Sequence, residues 1–295
     1  TTPVHIDLER AKIETDFYKA NDGKYSIPVM RAMVLKEYFS KKTLYLGDGE
    51  LIIGEKGKDP QASPTFPELC CHSVEDMVVM SERELVSFKT TEEDRKLQAE
   101  EIIPYWTGRS MREKILARMT PEWHECYSAG MFTEFMEQRG PGHTCGGEQV
   151  FTTGYLDYKE KIQKTMAALD YINDPDAVNK CEELKAMDIA CDAVIILGER
   201  YHKLALERAE KEQDETRKAE LFQIAKNLEV VPAHKPETYW QAIQLYWFTH
   251  LAVTTELNPW DAFSPGRLDQ HLNPYYERDV EAGILDDERA LELLE

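Results

Sequence analysis

The sequence has no long apolar run: its longest, Ala193-Val194-Ile195-Ile196-Leu197, falls far short of the roughly 20 residues that cross a bilayer. No membrane-spanning helix is expected. Positive charge is scarce too, with 35 Lys and Arg against 55 Asp and Glu and a net charge of −20, so phosphate backbones and anionic lipid surfaces are repelled. Neither nucleic acid nor a membrane is an expected partner. Cysteine is sparse and unpatterned: Cys70, Cys71, Cys126, Cys145, Cys181 and Cys191 form no CxxC. That usage fits reduced thiols in the cytoplasm better than a disulfide framework. The opening residues, Thr1 to Asp7, carry no basic stretch and no apolar stretch of a secretory signal.

Catalytic signatures are equally thin. Gly47-x-Gly49 lacks the third glycine of a dinucleotide loop, and Gly54-Glu55-Lys56-Gly57-Lys58 lacks the length and the Ser or Thr of a P-loop. None of the 8 histidines sits in an HExxH or a paired Cys/His spacing, and adjacent Cys70 and Cys71 cannot easily both face one tetrahedral ion beside His72. No metal site is expected.

What is present is a core. At 295 residues, 42% hydrophobic, with 5 Trp, 14 Tyr and 10 Phe, the chain has ample material for a soluble globular fold. Helical periodicity dominates, and the expected class is mainly α. Leu8, Ala11 and Thr15 share one face of a first helix, and a second follows Pro28 with Met30, Met33, Val34 and Phe39. Leu44-Tyr45-Leu46 and Leu51-Ile52-Ile53, around Gly47-Asp48-Gly49, predict a small hairpin. Ser73, Thr91 and Thr120 predict helix N-caps. Asp174-Pro175 opens the longest helix, whose stripe of Leu184, Met187, Cys191, Val194, Ile195, Tyr201 and Ala205 predicts a core seam. A charged break at Glu210–Arg217 precedes a helix to Leu228, and another follows Pro236 toward His250. No linker or repeat divides the chain. An acidic amphipathic pattern from Leu285 reaches Glu295 without a Gly or Asn cap, so the chain is expected to stop inside a helix and to be part of something longer.

Two segments carry candidate chemistry. Near the middle, Arg139-Gly140-Pro141-Gly142-His143 breaks a helical pattern with a rigid turn that presents His143 at its tip. Spacing alone favours an exposed loop histidine. Farther on, Thr254 to Asp269 follows the apolar Leu245-Tyr246-Trp247-Phe248 and mixes aromatics, prolines and ionisable groups, as a pocket wall does. Asp261, between Trp260 and Phe263, is either a partly desolvated pocket carboxylate or the cap of the next turn.

The residues resemble a known family, the glycyl-radical enzymes related to pyruvate formate-lyase. Asp48-Gly49-Glu50-Leu51-Ile52-Ile53-Gly54 is similar to that family's amino-terminal D-E-L-I-V-G segment. Four further stretches resemble its hydroxyproline-dehydrating branch: Pro67 to His72, Phe132 to Thr144, Val231 to Tyr239, and Thr254 to Asn273.

The resemblance covers essentially all of residues 1–295 and implies the amino-terminal part of a single ten-stranded α/β barrel wrapped by helices. It implies radical dehydration of trans-4-hydroxy-L-proline to 1-pyrroline-5-carboxylate. On that likeness Phe135 packs against the pyrrolidine ring, while His143 and Asp261 hydrogen-bond the substrate's polar groups and serve the elimination. The same likeness implies no bound cofactor but a glycyl radical on a carboxy-terminal glycine absent from this chain. That radical is installed by a radical-SAM iron-sulfur activating enzyme and relayed to a cysteine also absent here. Cys181-Glu182-Glu183 matches the family's Cys-x-Glu only superficially, within a helical pattern. Other implied partners are the remaining carboxy-terminal part of the enzyme and further copies in a homo-oligomer.

Gly140 stands where the branch has Ala, and Cys145-Gly146-Gly147 makes a more permissive loop. A paralogue acting on another hydroxyproline isomer therefore stays open. So do another glycyl-radical eliminase, such as a diol dehydratase or a carbon-nitrogen or carbon-sulfur lyase, and a non-catalytic acidic helical binding module.

Overall fold

A computed structural model describes residues 3–132, 145–256 and 264–295. The first stretch forms β1 (Val4–Asp7), α1 (Glu9–Asn21), α2 (Ile27–Lys41), β2 (Ala62–Pro64), α3 (Val74–Glu82), β3 (Phe88–Lys89), α4 (Glu92–Leu97), α5 (Ile103–Trp106), α6 (Met111–Leu116) and α7 (Pro121–Ser128). Thereafter come α8 (Gln149–Thr152), α9 (Tyr155–Ala167), α10 (Ala177–Lys211), α11 (Glu215–Leu228), α12 (Tyr239–Glu256), α13 (Leu268–Glu281) and α14 (Asp287–Glu292). The protein is mostly helical, as its periodicity predicts. Among the described residues the strands form one parallel sheet in the order β2-β1-β3.

The chain divides into two compact units, the first built from Thr1–Asp22 and Lys56–Pro141 with Leu257–Pro259. In it α1 buries Ala11 against Ile6, Met77, Ile102 and Trp106. The same helix carries a buried charge, Arg10, which donates to both carboxylate oxygens of Glu68 at 2.8 and 3.1 Å and meets Glu14 at 2.7 Å. Its guanidinium also lies 4.1 Å from the Phe66 ring centre. Such pairing is what makes a dry cation tolerable. Ser73 and Thr91 each close a capping box, with Asp76 and Asp94 reaching back to the cap N–H, and the Thr120 hydroxyl accepts from Trp123 N–H. Between α4 and α5, Gln98–Ile102 widens into a π-turn. Pro104 supplies the cause: it has no N–H for the Glu100 carbonyl, and its ring crowds that carbonyl.

The second unit comprises Gly23–Glu55, Gly142–Glu256 and Trp260–Glu295. Its spine is α10, along which α2, α9 and α11 pack. Of the predicted seam, Cys191, Val194, Tyr201 and Ala205 are buried, but Met187 is 52% exposed. Small residues do the close packing: Ala186, Ala193, Gly198 and Ala209 are buried along the helix. Arg200 caps the carboxy-terminal end of α2, donating to the carbonyls of Phe39 and Lys42 at 2.6 and 2.7 Å.

Two expectations need correction. The hairpin over Leu44–Ile53 does not form; this stretch is irregular, and its backbone is paired instead by side chains of α12. Trp240 Nε1 donates to Leu51 O at 2.9 Å and Trp247 Nε1 to Gly54 O at 2.8 Å. Gln244 serves Ile53 twice, accepting from its N–H at 2.9 Å and donating to its carbonyl at 2.8 Å. Spaced by one and two helical turns, these three side chains give an extended segment the partners a strand would have supplied. Gly54 lets the chain lie this close: its φ is +129°, and a Cβ there would sit 2.8 Å from Leu251 Cδ1. The last helix, expected through Glu295, is assigned only over Asp287–Glu292, and Leu293 and Leu294 form a turn after it. Acidic residues suit its first turn, where Asp286 caps Arg289 N–H at 2.8 Å, and not its last.

Candidate active site

Phe135, His143 and Asp261, with the neighbouring Trp260 and Phe263, lie outside the described residues. What the structure describes is the framework to which their segments attach. Cys145 follows the first segment and Ser264 follows the second, and the two meet directly: Cys145 N–H donates to Ser264 O at 3.2 Å. Both belong to the second unit. Two segments more than a hundred residues apart in sequence are thus joined at their carboxy-terminal flanks.

Cys145 is 3% exposed and packs in a cluster with Val150, Phe151, Ile243 and Tyr246. The turn that delivers it requires glycine next door. Gly146 has φ +64°, and a Cβ there would lie 2.4 Å from Val150 Cγ2. Helix α12 forms the facing wall. Tyr246 OH lies 3.2 Å from His250 Nδ1, and Cys145 Sγ lies 3.8 Å from the same nitrogen. The His250 ring stacks on Trp247 at 5.6 Å with 8° between planes, and Phe151 stacks on both Tyr246 and His271. On the same helix Thr249 accepts the Tyr155 hydroxyl at 3.0 Å. The helix ends in charge: Arg31 donates to Glu256 Oε1 through Nε at 2.6 Å and Nη2 at 2.5 Å.

Burial sets the chemistry of this wall. It pushes the Cys145 thiol up to about 11 and raises the Tyr246 and Tyr155 phenols well above their ordinary value. At neutral pH the three groups keep their protons, so the wall presents aromatic faces and neutral donors. A thiolate nucleophile is not on offer at Cys145.

The Asp48–Gly54 motif belongs to the same unit and, with Tyr246 and Trp247, lines an open cleft of about 610 Å³. Cys181 is a residue of α10, as its context predicts. The following Glu182 is occupied, accepting from Ser26 Oγ at 2.7 Å and from Lys185 at 2.6 Å. Among the described residues no three His, Cys, Asp or Glu side chains, those of Cys70, Cys71 and His72 included, are placed together to hold a metal ion. Tyr246, His250 and Cys145 were not singled out by sequence reasoning. The spacing of Tyr246 and His250, one helical turn on an aromatic helix, was the available signal.

The chain belongs to the pyruvate formate lyase-like family, whose family model matches residues 1–295. Within that family it is 57% identical over 291 residues to the trans-4-hydroxy-L-proline dehydratase of Clostridioides difficile, covering 99% of this chain and 37% of that protein. The crystal structure of the C. difficile hydroxyproline dehydratase with trans-4-hydroxy-L-proline bound superimposes with a TM-score of 0.96, covering 100% of this chain and 37% of that one. Isethionate sulfite-lyase of Desulfovibrio desulfuricans is 32% identical, with 98% of this chain and 36% of that protein covered. The chain therefore spans little more than a third of the length of these relatives.

Proposed function

We propose that this chain is the amino-terminal third of a cytoplasmic glycyl-radical dehydratase that converts trans-4-hydroxy-L-proline to 1-pyrroline-5-carboxylate and water. Its segment would contribute helices and part of the wall to a ten-stranded α/β barrel completed by the carboxy-terminal part of the enzyme, in a homo-oligomer. A glycyl radical on a carboxy-terminal glycine, installed by a radical-SAM iron-sulfur activating enzyme, supplies the hydrogen-abstracting power through a thiyl sulfur outside this chain.

The residues of this chain bind, orient and protonate. After hydrogen leaves the carbon next to nitrogen, the neighbouring hydroxyl must depart, and hydroxide is a poor leaving group unless a donor protonates it as the bond breaks. His143, held cationic by a neighbouring Asp261, is the donor in one arrangement; in the other, Asp261 holds the substrate ammonium. Phe135 packs on the ring, and Trp260 and Phe263 help to exclude water.

The structural observation that supports bringing the two segments to one site is the Cys145–Ser264 hydrogen bond. Two peptide links separate His143 from Cys145 and three separate Asp261 from Ser264. At about 3.8 Å per Cα step, the tethers are at most ~8 Å and ~11 Å long, measured from a bonded pair. Identity of 57% to a relative named for this reaction supports the substrate. The test is His143→Ala in the complete, activated enzyme: dehydration should fall by roughly 10²–10⁴-fold while glycyl-radical yield stays normal. Unchanged turnover would refute the role. Turnover of isethionate in place of hydroxyproline would move the protein to the sulfite-lyase branch.

A further inference from the structure

Tyr246 and Cys145 both lie within hydrogen-bond reach of one atom. The phenol oxygen and the thiol sulfur lie 3.2 and 3.8 Å from His250 Nδ1. Tyr246 is 9% exposed and Cys145 3%, so each hydrogen needs an acceptor inside the protein. Both groups keep their protons at neutral pH, because burial raises them far above it. A lone pair on Nδ1 answers both donors, whereas a hydrogen on Nδ1 would itself need the phenol oxygen or the sulfur as acceptor and would leave their own hydrogens without this one. In a neutral imidazole, which carries a single N–H, that arrangement puts the hydrogen on Nε2. The ring plane is fixed as well, stacked on Trp247 and tilted at 45° to Tyr246. Neighbours on the same helix and Cys145 thus bear on both tautomer and orientation.

Cys145 also takes part, through its backbone, in the bond to Ser264. Its sulfur leans on His250 and its N–H holds Ser264, so the ring of His250 sets where that junction lies. We propose that Tyr246, His250 and Cys145 form a positioning unit of the dehydration site, in which His250, fixed as the neutral Nε2–H tautomer, holds the Cys145–Ser264 junction against α12. This rests on the hydroxyproline reading for its consequence in turnover, though not for its geometry. His250 acts through Cys145 and is a positioning residue rather than a catalytic one.

The experiment has one arm that needs no turnover. In complete, unactivated enzyme labelled with ¹⁵N-histidine, with His250 assigned from the spectrum of His250→Gln, the ring should show at pH 7 an unprotonated Nδ1 and a protonated Nε2. Tyr246→Phe removes the shorter of the two donors and should shift those signals toward a mixture of tautomers. A protonated Nδ1 in the wild type, or signals unmoved by Tyr246→Phe, overturns the proposal. The second arm uses activated enzyme. Replacing His250 with Phe should lower kcat/KM on the order of 10-fold or more, since displacement by about an ångström carries such a cost, with normal radical yield. His250→Gln, whose amide oxygen can accept from Tyr246 and Cys145, should recover a good part of the loss. Equal activity of the Phe, Gln and wild-type enzymes also overturns it. Wild-type enzyme with a full radical and no hydroxyproline turnover would contradict the functional reading alone, leaving the tautomer to be decided by the spectrum.

Discussion

In the first unit Arg10, 3% exposed, is compensated by full charges, Glu68 and Glu14, and by the face of Phe66. The buried polar groups beside α12 in the second unit are handled in the opposite way, although that unit also buries the charges of Lys42 and Asp279 elsewhere. Cys145, Tyr246 and Tyr155 stay neutral, pushed away from ionisation by desolvation and paired with His250 and Thr249. The contrast teaches that dryness alone does not decide whether a site is charged; the partners within reach do. A paired cation locks one arrangement of α1 against its surroundings. A neutral, desolvated cluster places no full charge beside α12.

The contrast can be broken at either end. Arg10→Ala leaves two buried carboxylates without their guanidinium and should cost roughly 3–5 kcal/mol, as removal of one partner of a buried pair does, measured by denaturant unfolding of the complete enzyme. A cost under about 1 kcal/mol would mean the pair is wetter than its burial indicates. Gln244→Leu, in the second unit, strips both hydrogen bonds from Ile53, which is 0% exposed. About 2 kcal/mol should be lost, because a buried N–H and carbonyl are left unmet. A pH effect is expected at Cys145, whose thiol is raised from 9.0 to about 11. The folded state then binds the proton more tightly than the unfolded chain, so this contribution is whole below pH 9 and is lost as pH rises through about 11. Stability of the wild type should fall over that window more steeply than that of Cys145→Ala, and alkylation of Cys145 at pH 8 should be slow, read by mass spectrometry.

Much of the local architecture was legible because its causes are local. Ser73, Thr91 and Thr120 cap helices through hydrogen bonds that span three residues, and the break between α10 and α11 lies within the charged stretch that predicts it. The Leu44–Ile53 segment was misread for the complementary reason. Its alternation is that of a strand, but its partners are Trp240, Gln244 and Trp247, about 190 residues away. The site shows the same division. His143 and Asp261 stand out by composition and by resemblance, within segments outside the described residues, whereas Cys145 and His250 are joined across 105 positions. No periodicity records a contact of that range, since it arises only when α12 and the turn at Gly146 are packed together.

The most direct measurement is an anaerobic assay of the complete enzyme, activated until its glycyl radical is visible by electron paramagnetic resonance and then given trans-4-hydroxy-L-proline. Formation of 1-pyrroline-5-carboxylate, abolished or greatly slowed by His143→Ala at equal radical content, is the predicted result. A full radical signal with no pyrroline product from any hydroxyproline isomer would contradict the account.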